Sequence, residues 1–273
     1  MKAAGSRNIK AGLLSLLFVL YSNFGTYAYA QSLDSVSHIH HVKVVENKVL
    51  VLTHEGLYEL VGKNAMKLVG KDKLDVMGFT TLGKALVASG HPSQGSKKPN
   101  PIGLVKSLDG GLTWKAVSLV GKVDFHFLEG ARSDLYGADS QTGNLIYSAD
   151  SGKTWSSLGS NSFTDIAVSP DTSGMAIAIN NSELLLTENA FKSTTKIKNG
   201  LKFTQVEWRN SGLYGLSGNT LYKSTNSGKT WTKLNTFKGV PGILSASDQM
   251  MLVTVGSDIY TSSNAGKKFK ILS

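Results

Sequence analysis

Cysteine is absent from the 273-residue chain. That excludes a disulfide framework, a thiol nucleophile, a thiolate metal site and a cysteine lipid anchor, and leaves stability to packing and strand pairing. Arginine is almost absent, with Arg7, Arg132 and Arg209 as its only occurrences. The basic residues are therefore scattered lysines without an Arg-rich or aromatic-basic element, which argues against specific nucleic-acid binding. Long apolar runs are missing apart from "AGLLSLLFVL" at 11–20. No apolar stripe of 3.6-residue period reaches helical length, so a helical bundle is excluded as well.

The one apolar run has a particular setting. Lys2, Arg7 and Lys10 precede it, no acidic residue accompanies it, and "YSNFGTYAYA" follows, ending in small residues before Gln31. This pattern predicts a secretory signal peptide over 1–30 with an Ala28-x-Ala30 cleavage site. The run is shorter than the ~20 residues a membrane span needs, so no transmembrane span is expected after cleavage. Loss of 1–30 removes three basic groups and no acidic one, lowering the formal charge from +10 to +7. A basic, extracytoplasmic protein suits an anionic cell-envelope polymer, a glycan or a protein partner.

What the chain does contain is a repeat. "SLDGGLTW" at 107–114 returns as "SADSGKTW" at 148–155 and "STNSGKTW" at 224–231, and "SSNAGKKF" at 262–269 keeps the pattern. Degenerate copies fall at Thr187 and at Glu59, giving six units spaced by 48, 41, 39, 37 and 38 residues. The longest spacing contains the insertion "HPSQGSKKPNP" at 91–101. Each unit orders four short β-rich runs punctuated by Gly, Asn, Asp and Ser. Four strands in about forty residues predict a β-propeller blade. The expected architecture is all-β: a single six-bladed propeller of four-stranded antiparallel blades over 31–273. Its blades are expected near 38–70, 71–121, 122–160, 161–200, 201–238 and 239–273. The last unit supplies its own fourth strand, "KKFKILS", which leaves open how the ring closes and whether 31–37 is free or joins an edge.

The octet reads as a turn between third and fourth strands. Asp109, Asp150, Asn226 and Asn264 can fold back onto nearby amides. Gly111, Gly152, Gly228 and Gly266 allow positive φ, and Trp114, Trp155, Trp231 and Phe269 can bury a ring against the next sheet. Ser107, Asp109, Gly111, Thr113 and Trp114, with Ser148 and its followers, resemble the Asp-box (BNR) repeat of sialidases, sortilins, xyloglucan-degrading glycosidases and photosystem II assembly propellers. The resemblance implies a peripheral, structural turn. The strings "HIHHV", "THEGLY", "DVMGF", "ASGHP" and "DFHFL" are further similar to secreted bacterial propellers described as glycosyl hydrolase-like, which implies the fold and leaves the activity open. A true sialidase holds its substrate carboxylate with three arginines. Only Arg132 and Arg209 would remain here.

Function is therefore sought on the inner strands. Lining up the first strands of the units places His38, Asp75, Asp124, Asp165, Gln205 and Gly242 at one position. His40, Met77, His126, Ala167, Glu207 and Leu244 fall two residues on, on the same strand face. The ends of the second strands align His54, His91 and Asp139. Three readings stay open. His38, His40, His54, His91 and His126 with the carboxylates suit a divalent metal such as zinc or manganese. Asp75, Asp124, Asp165 and Glu207 offer the acid/base pair of a glycosidase. Alternatively, these groups satisfy backbone and water around the channel. Short loops, and Trp208 as the only tryptophan outside the octets, favour a binding or scaffold module over a glycosidase. Lys97 and Lys98 in the insertion form a candidate contact patch.

Overall fold

The computed structural model describes residues 31–36 and 38–272. The expected signal peptide lies outside the described residues. Six antiparallel sheets form a six-bladed β-propeller, with no α-helix among the described residues. The innermost strands are Ile39–Val45, Asp75–Leu82, Phe125–Ala131, Asp165–Val168, Phe203–Arg209 and Pro241–Ala246, in blades I to VI. Each packs beside the next around the axis, and the last packs beside the first. Among the described residues no helix is long and apolar enough to cross a membrane.

Each blade is covered on both faces, and this explains the apolar runs. In Lys48–Thr53 every residue after Lys48 is buried, because alternate side chains enter two different cores. Leu50 and Leu52 pack with Leu86 and Phe79 of blade II, while Val49 and Val51 pack with Leu252 and Ile259 of blade VI. Six such interfaces follow one another round the ring.

The repeated serine marks one structural position. Ser107, Ser148, Thr187, Ser224 and Ser262 face Leu86, Leu135, Ala176, Leu213 and Met251 of the second strands, and Glu59 faces Leu50 in the same way. In the turn that follows, the Ser148 Oγ accepts the Gly152 N–H at 2.9 Å and donates to Asp150 Oδ1 at 2.8 Å. Asp150 in turn accepts the Thr154 N–H at 2.9 Å and hydroxyl at 2.7 Å. The ring of Trp155 stacks on Phe125 at 5.0 Å, and its indole N–H returns to the Gly152 carbonyl at 3.0 Å. Gly152 has φ 85°, and a Cβ there would sit 2.1 Å from Leu104 Cδ2. Asn226 and Asn264 accept the equivalent amides through Oδ1 at 2.9 Å.

Closure occurs without strand exchange. Lys270–Ile271 is the fourth strand of blade VI, and Gln31–Ser32 adds to the outer edge of blade I by pairing with Ala65 and Met66. Blades VI and I meet through their shared core, to which Leu33 and Val36 contribute. Two hydrogen bonds also join them, Val44 N–H to Ser245 Oγ (2.9 Å) and Ser247 Oγ–H to the Glu46 carbonyl (2.5 Å).

Candidate functional site

Inner strands begin at one end of the propeller and turn back at the other, so the axis has two chemically distinct ends. Five of the six inner strands carry a bulge, between Ile39 and His41, Val76 and Gly78, Phe125 and Phe127, Phe203 and Gln205, and Pro241 and Leu244. The pairing of Asp165–Val168 is regular. On three of the bulged strands a side chain of the preceding blade accepts an inner-strand amide. Ser89 Oγ accepts Phe125 N–H at 3.1 Å, Asp165 Oδ2 accepts Val206 N–H at 2.8 Å, and Gln205 Oε1 accepts Leu244 N–H at 2.5 Å.

Bulges also correct the sequence alignment. Asp75, Asp124, Asp165 and Glu207 do not converge on one site. At the strand-start end Asp75 and Asp124 join the histidines, whereas Asp165 and Glu207 line the channel. Asp139 does not share a ring with His54 and His91: it accepts Gln141 N–H at 3.2 Å and Thr142 Oγ1–H at 2.7 Å, closing its own turn. Its neighbour Ser140 is the residue that reaches the centre, donating to Asp124 Oδ2 at 2.9 Å.

The strand-start end carries an arc of imidazoles and carboxylates over blades I to III. His38, His40 and His54 are mutually adjacent, with ring centroids 4.9, 5.2 and 4.3 Å apart. Asp75 spans two of them, Oδ1 lying 2.9 Å from His40 Nε2 and Oδ2 lying 2.9 Å from His54 Nδ1. Burial, opposed by Asp75 and reinforced by the other two imidazoles, lowers the pKa of His40. Asp75 pairs across the strand with His91, which opens a second group. Asp124 Oδ2 lies 2.8 Å from His126 Nε2 and 3.4 Å from His91 Nε2, and His91 Nδ1 meets Asn100 Oδ1 at 2.7 Å.

The channel below holds residues that the sequence reading passed over. Lys43 pairs with Glu129, and Arg209 pairs with Glu207 and with the Ala246 carbonyl at 2.5 Å. Burial, reinforced by Glu129 and Glu207 against Lys43 and the Val206 amide, pushes Asp165 up to about 8. Burial also raises Glu207, with Arg209 and Lys43 opposing. For Lys43, burial works against the charge, but Glu129 and Glu207 outweigh it and the pKa rises. Burial and then Lys43 push His41 down to about 4. With Asp165 protonated, two cations face two carboxylates in balance. The signal in the sequence was a charge inside an apolar alternation, Lys43 in "IHHVKVV" and Glu129 in "FHFLEGA". Open volume here is only ≈ 100 Å3, well below the ~300–1,000 Å3 of a small-molecule site.

At the far end the hairpin turns surround a funnel of ≈ 860 Å3 to which all six blades contribute, through Glu46, Lys84, Arg132, Pro170, Asn210 and Asp248 among others. It extends between blades I and II over Leu50, Leu68 and the exposed Leu112. Both described arginines line it.

No protein-family model matches the chain, and no curated protein matches it. Among solved structures it is similar to YCF48 bound to D1 peptide, at 15% identity and a TM-score of 0.53, covering 89% of this chain and 83% of that one. PorZ, an essential surface component of the type-IX secretion system of Porphyromonas gingivalis, is similar at 13% identity and a TM-score of 0.58. A GH74 xyloglucanase from Xanthomonas campestris is similar at 13% identity and a TM-score of 0.54. The chain covers 33% and 46% of those two, while 89% and 90% of its own length is matched. At such identities the likeness is one of fold.

Proposed function

We propose that the chain is a secreted Asp-box propeller that acts as a binding module, taking a polypeptide segment in the funnel at the hairpin end. The funnel itself carries the reading. Its volume is of the size that encloses a ligand, and its walls are short turns held by the blades. Lys48, Lys67, Lys84, Arg132 and Arg209 line it together with Glu46, Glu59, Asp109 and Asp248, and so do Leu50, Leu68 and Leu112. Near-balanced charge with apolar patches matches a polypeptide better than a uniformly anionic polymer or a neutral glycan. YCF48 in its complex with D1 peptide and PorZ at a bacterial surface support the same direction.

The surroundings of the four carboxylates favour binding over the alternative glycosidase reading. Asp75 is held by two histidines, Asp124 sits between two more, and Asp165 and Glu207 lie in a channel too narrow for a sugar ring. Trp208 packs between blades IV and V and offers no sugar platform. Lys98 of the contact patch pairs with Asp72 at 3.1 Å. An arrayed peptide library probed with the wild type and with a Lys84→Ala/Arg132→Ala variant tests the proposal. Selected peptides should bind the variant at least tenfold more weakly, about 1.4 kcal/mol. Absence of any selected peptide, equal binding by the variant, or turnover of xyloglucan or chromogenic glycosides would overturn it.

A further inference from the structure

The arc at the strand-start end has hydrogen-bond geometry that side-chain protons alone do not satisfy. His91 Nδ1 faces Asn100 Oδ1 at 2.7 Å, so it carries the ring proton, and in a neutral ring Nε2 is left with a lone pair. Asp124 Oδ2, itself an acceptor, lies 3.4 Å from that nitrogen. Asp124 is only 5% exposed, and its Oδ1 is buried without any hydrogen-bond partner. A buried carboxylate oxygen left unpaired forfeits the hydration it had in the unfolded chain with nothing in return. Two acceptors facing each other beside an orphaned oxygen describe the surroundings of a cation. A ring nitrogen fixed by an outer acceptor is how a metal-ligating histidine is held.

The blade I group shows a complementary mismatch. His40 Nε2 and His54 Nδ1 both face Asp75 and lie 3.2 Å from each other. If both donate to the carboxylate, two N–H groups confront each other. If only one does, the other turns a lone pair toward an Asp75 oxygen 2.9 Å away. A cation among the two nitrogens and Asp75, with His38 beside them, removes the conflict.

The geometry points to two neighbouring sites for divalent transition-metal ions of the imidazole-preferring kind, one held by His91, Asp124 and His126 and the other by His38, His40 and His54 with Asp75. Within each set the three grouped ligand atoms lie within 4.8 Å of one another. Mixed imidazole and carboxylate donors without thiolate suit Zn(II) or Cu(II), and Mg(II) and Ca(II) prefer all-oxygen shells. Asn100 and Ser140 are positioning residues. These sites lie at the opposite end of the axis from the funnel and do not rest on the binding proposal.

The test uses the purified protein, free of any polyhistidine tag and stripped with chelator, titrated with Zn(II), Cu(II) or Mg(II) by calorimetry and elemental analysis. Two equivalents of Zn(II) or Cu(II) and none of Mg(II) are expected. Asp124→Asn and His91→Asn should each leave one equivalent, as should His54→Gln. Asn100→Ala should keep two while weakening one of them about 10–100-fold. Near-UV circular dichroism identifies any variant that fails to fold, and His91 and His54, which are partly exposed, give the readout should Asp124→Asn be such a variant. No binding, or two equivalents retained in a His54→Gln/His91→Asn double variant, would overturn both sites. A single equivalent removed by only one of these substitutions would overturn the other site. Lys84→Ala/Arg132→Ala should leave the stoichiometry unchanged, so failure of the funnel proposal would be seen separately.

Discussion

Asp165 shows how one residue's environment decides its role. Burial, with two other acids nearby, makes its carboxyl hold the proton up to about 8, although the Val206 amide it accepts pulls the other way. The folded protein keeps that proton between the ordinary carboxylate value near 4 and pH 8, whereas the unfolded chain releases it. Stability is therefore full below about pH 4 and is lost as pH rises through about 8. Asp165→Asn cannot ionise, so its melting temperature should fall less than that of the wild type between pH 4 and 9. Parallel pH profiles would contradict this. Asp109 and Asp150 behave in the opposite sense. Hydrogen bonds, led by the Thr113 hydroxyl for Asp109 and the Thr154 amide for Asp150, pull both down to about 2. Their contribution is present above the ordinary value of 3.8 and is lost as pH falls through about 2. A double Asp109→Asn/Asp150→Asn variant, which copies the residues at 226 and 264, should keep the turns and flatten that acid loss in thermal melts.

At the scale of the element, the turns and bulges differ in how far they can be read from the chain. A Ser-x-Asp turn is local: hydroxyl, carboxylate and the amides they bind lie within eight residues, so the period of forty was visible in the sequence. Gly152→Ala should destabilise by about 1–3 kcal/mol through its clash with Leu104. Gly143→Ala, also at positive φ (70°) but with no heavy atom within 4 Å, should cost only the ~1 kcal/mol of the left-handed backbone. Equal losses in chemical denaturation would show that packing plays no part. A bulge is a property of two strands, and no local signal in "DIAV" announces that blade IV lacks one. Hence aligned positions did not predict that Asp165 leaves the histidine ring. Lys43 and Glu129 were readable as charges on apolar strands, but their pairing joins residues 86 apart.

On the scale of the whole molecule, the funnel was illegible because short turns of all six blades and a groove between blades I and II compose it. The order of six blades was legible, and the mode of closure was not. Packing between blades VI and I closes the ring, so Leu252→Ala, at a fully buried position of that interface, should cost about 2–5 kcal/mol. Deletion of 31–36 should cost less, because only the partly buried Leu33 and Val36 leave that core. A deletion that unfolds the protein, followed by circular dichroism, would show that the N-terminal strand clasps the ring.

Closure without an exchanged strand has a consequence for chain topology. No blade borrows a strand from the opposite terminus, so every blade is a contiguous segment and every joint between blades is equivalent as a cutting point. Circular permutants that tie Leu272 to Gln31 through a flexible linker and open the chain at 161–164 should assemble the same ring. The order of the blades in space, rather than the place where translation starts, then defines the molecule.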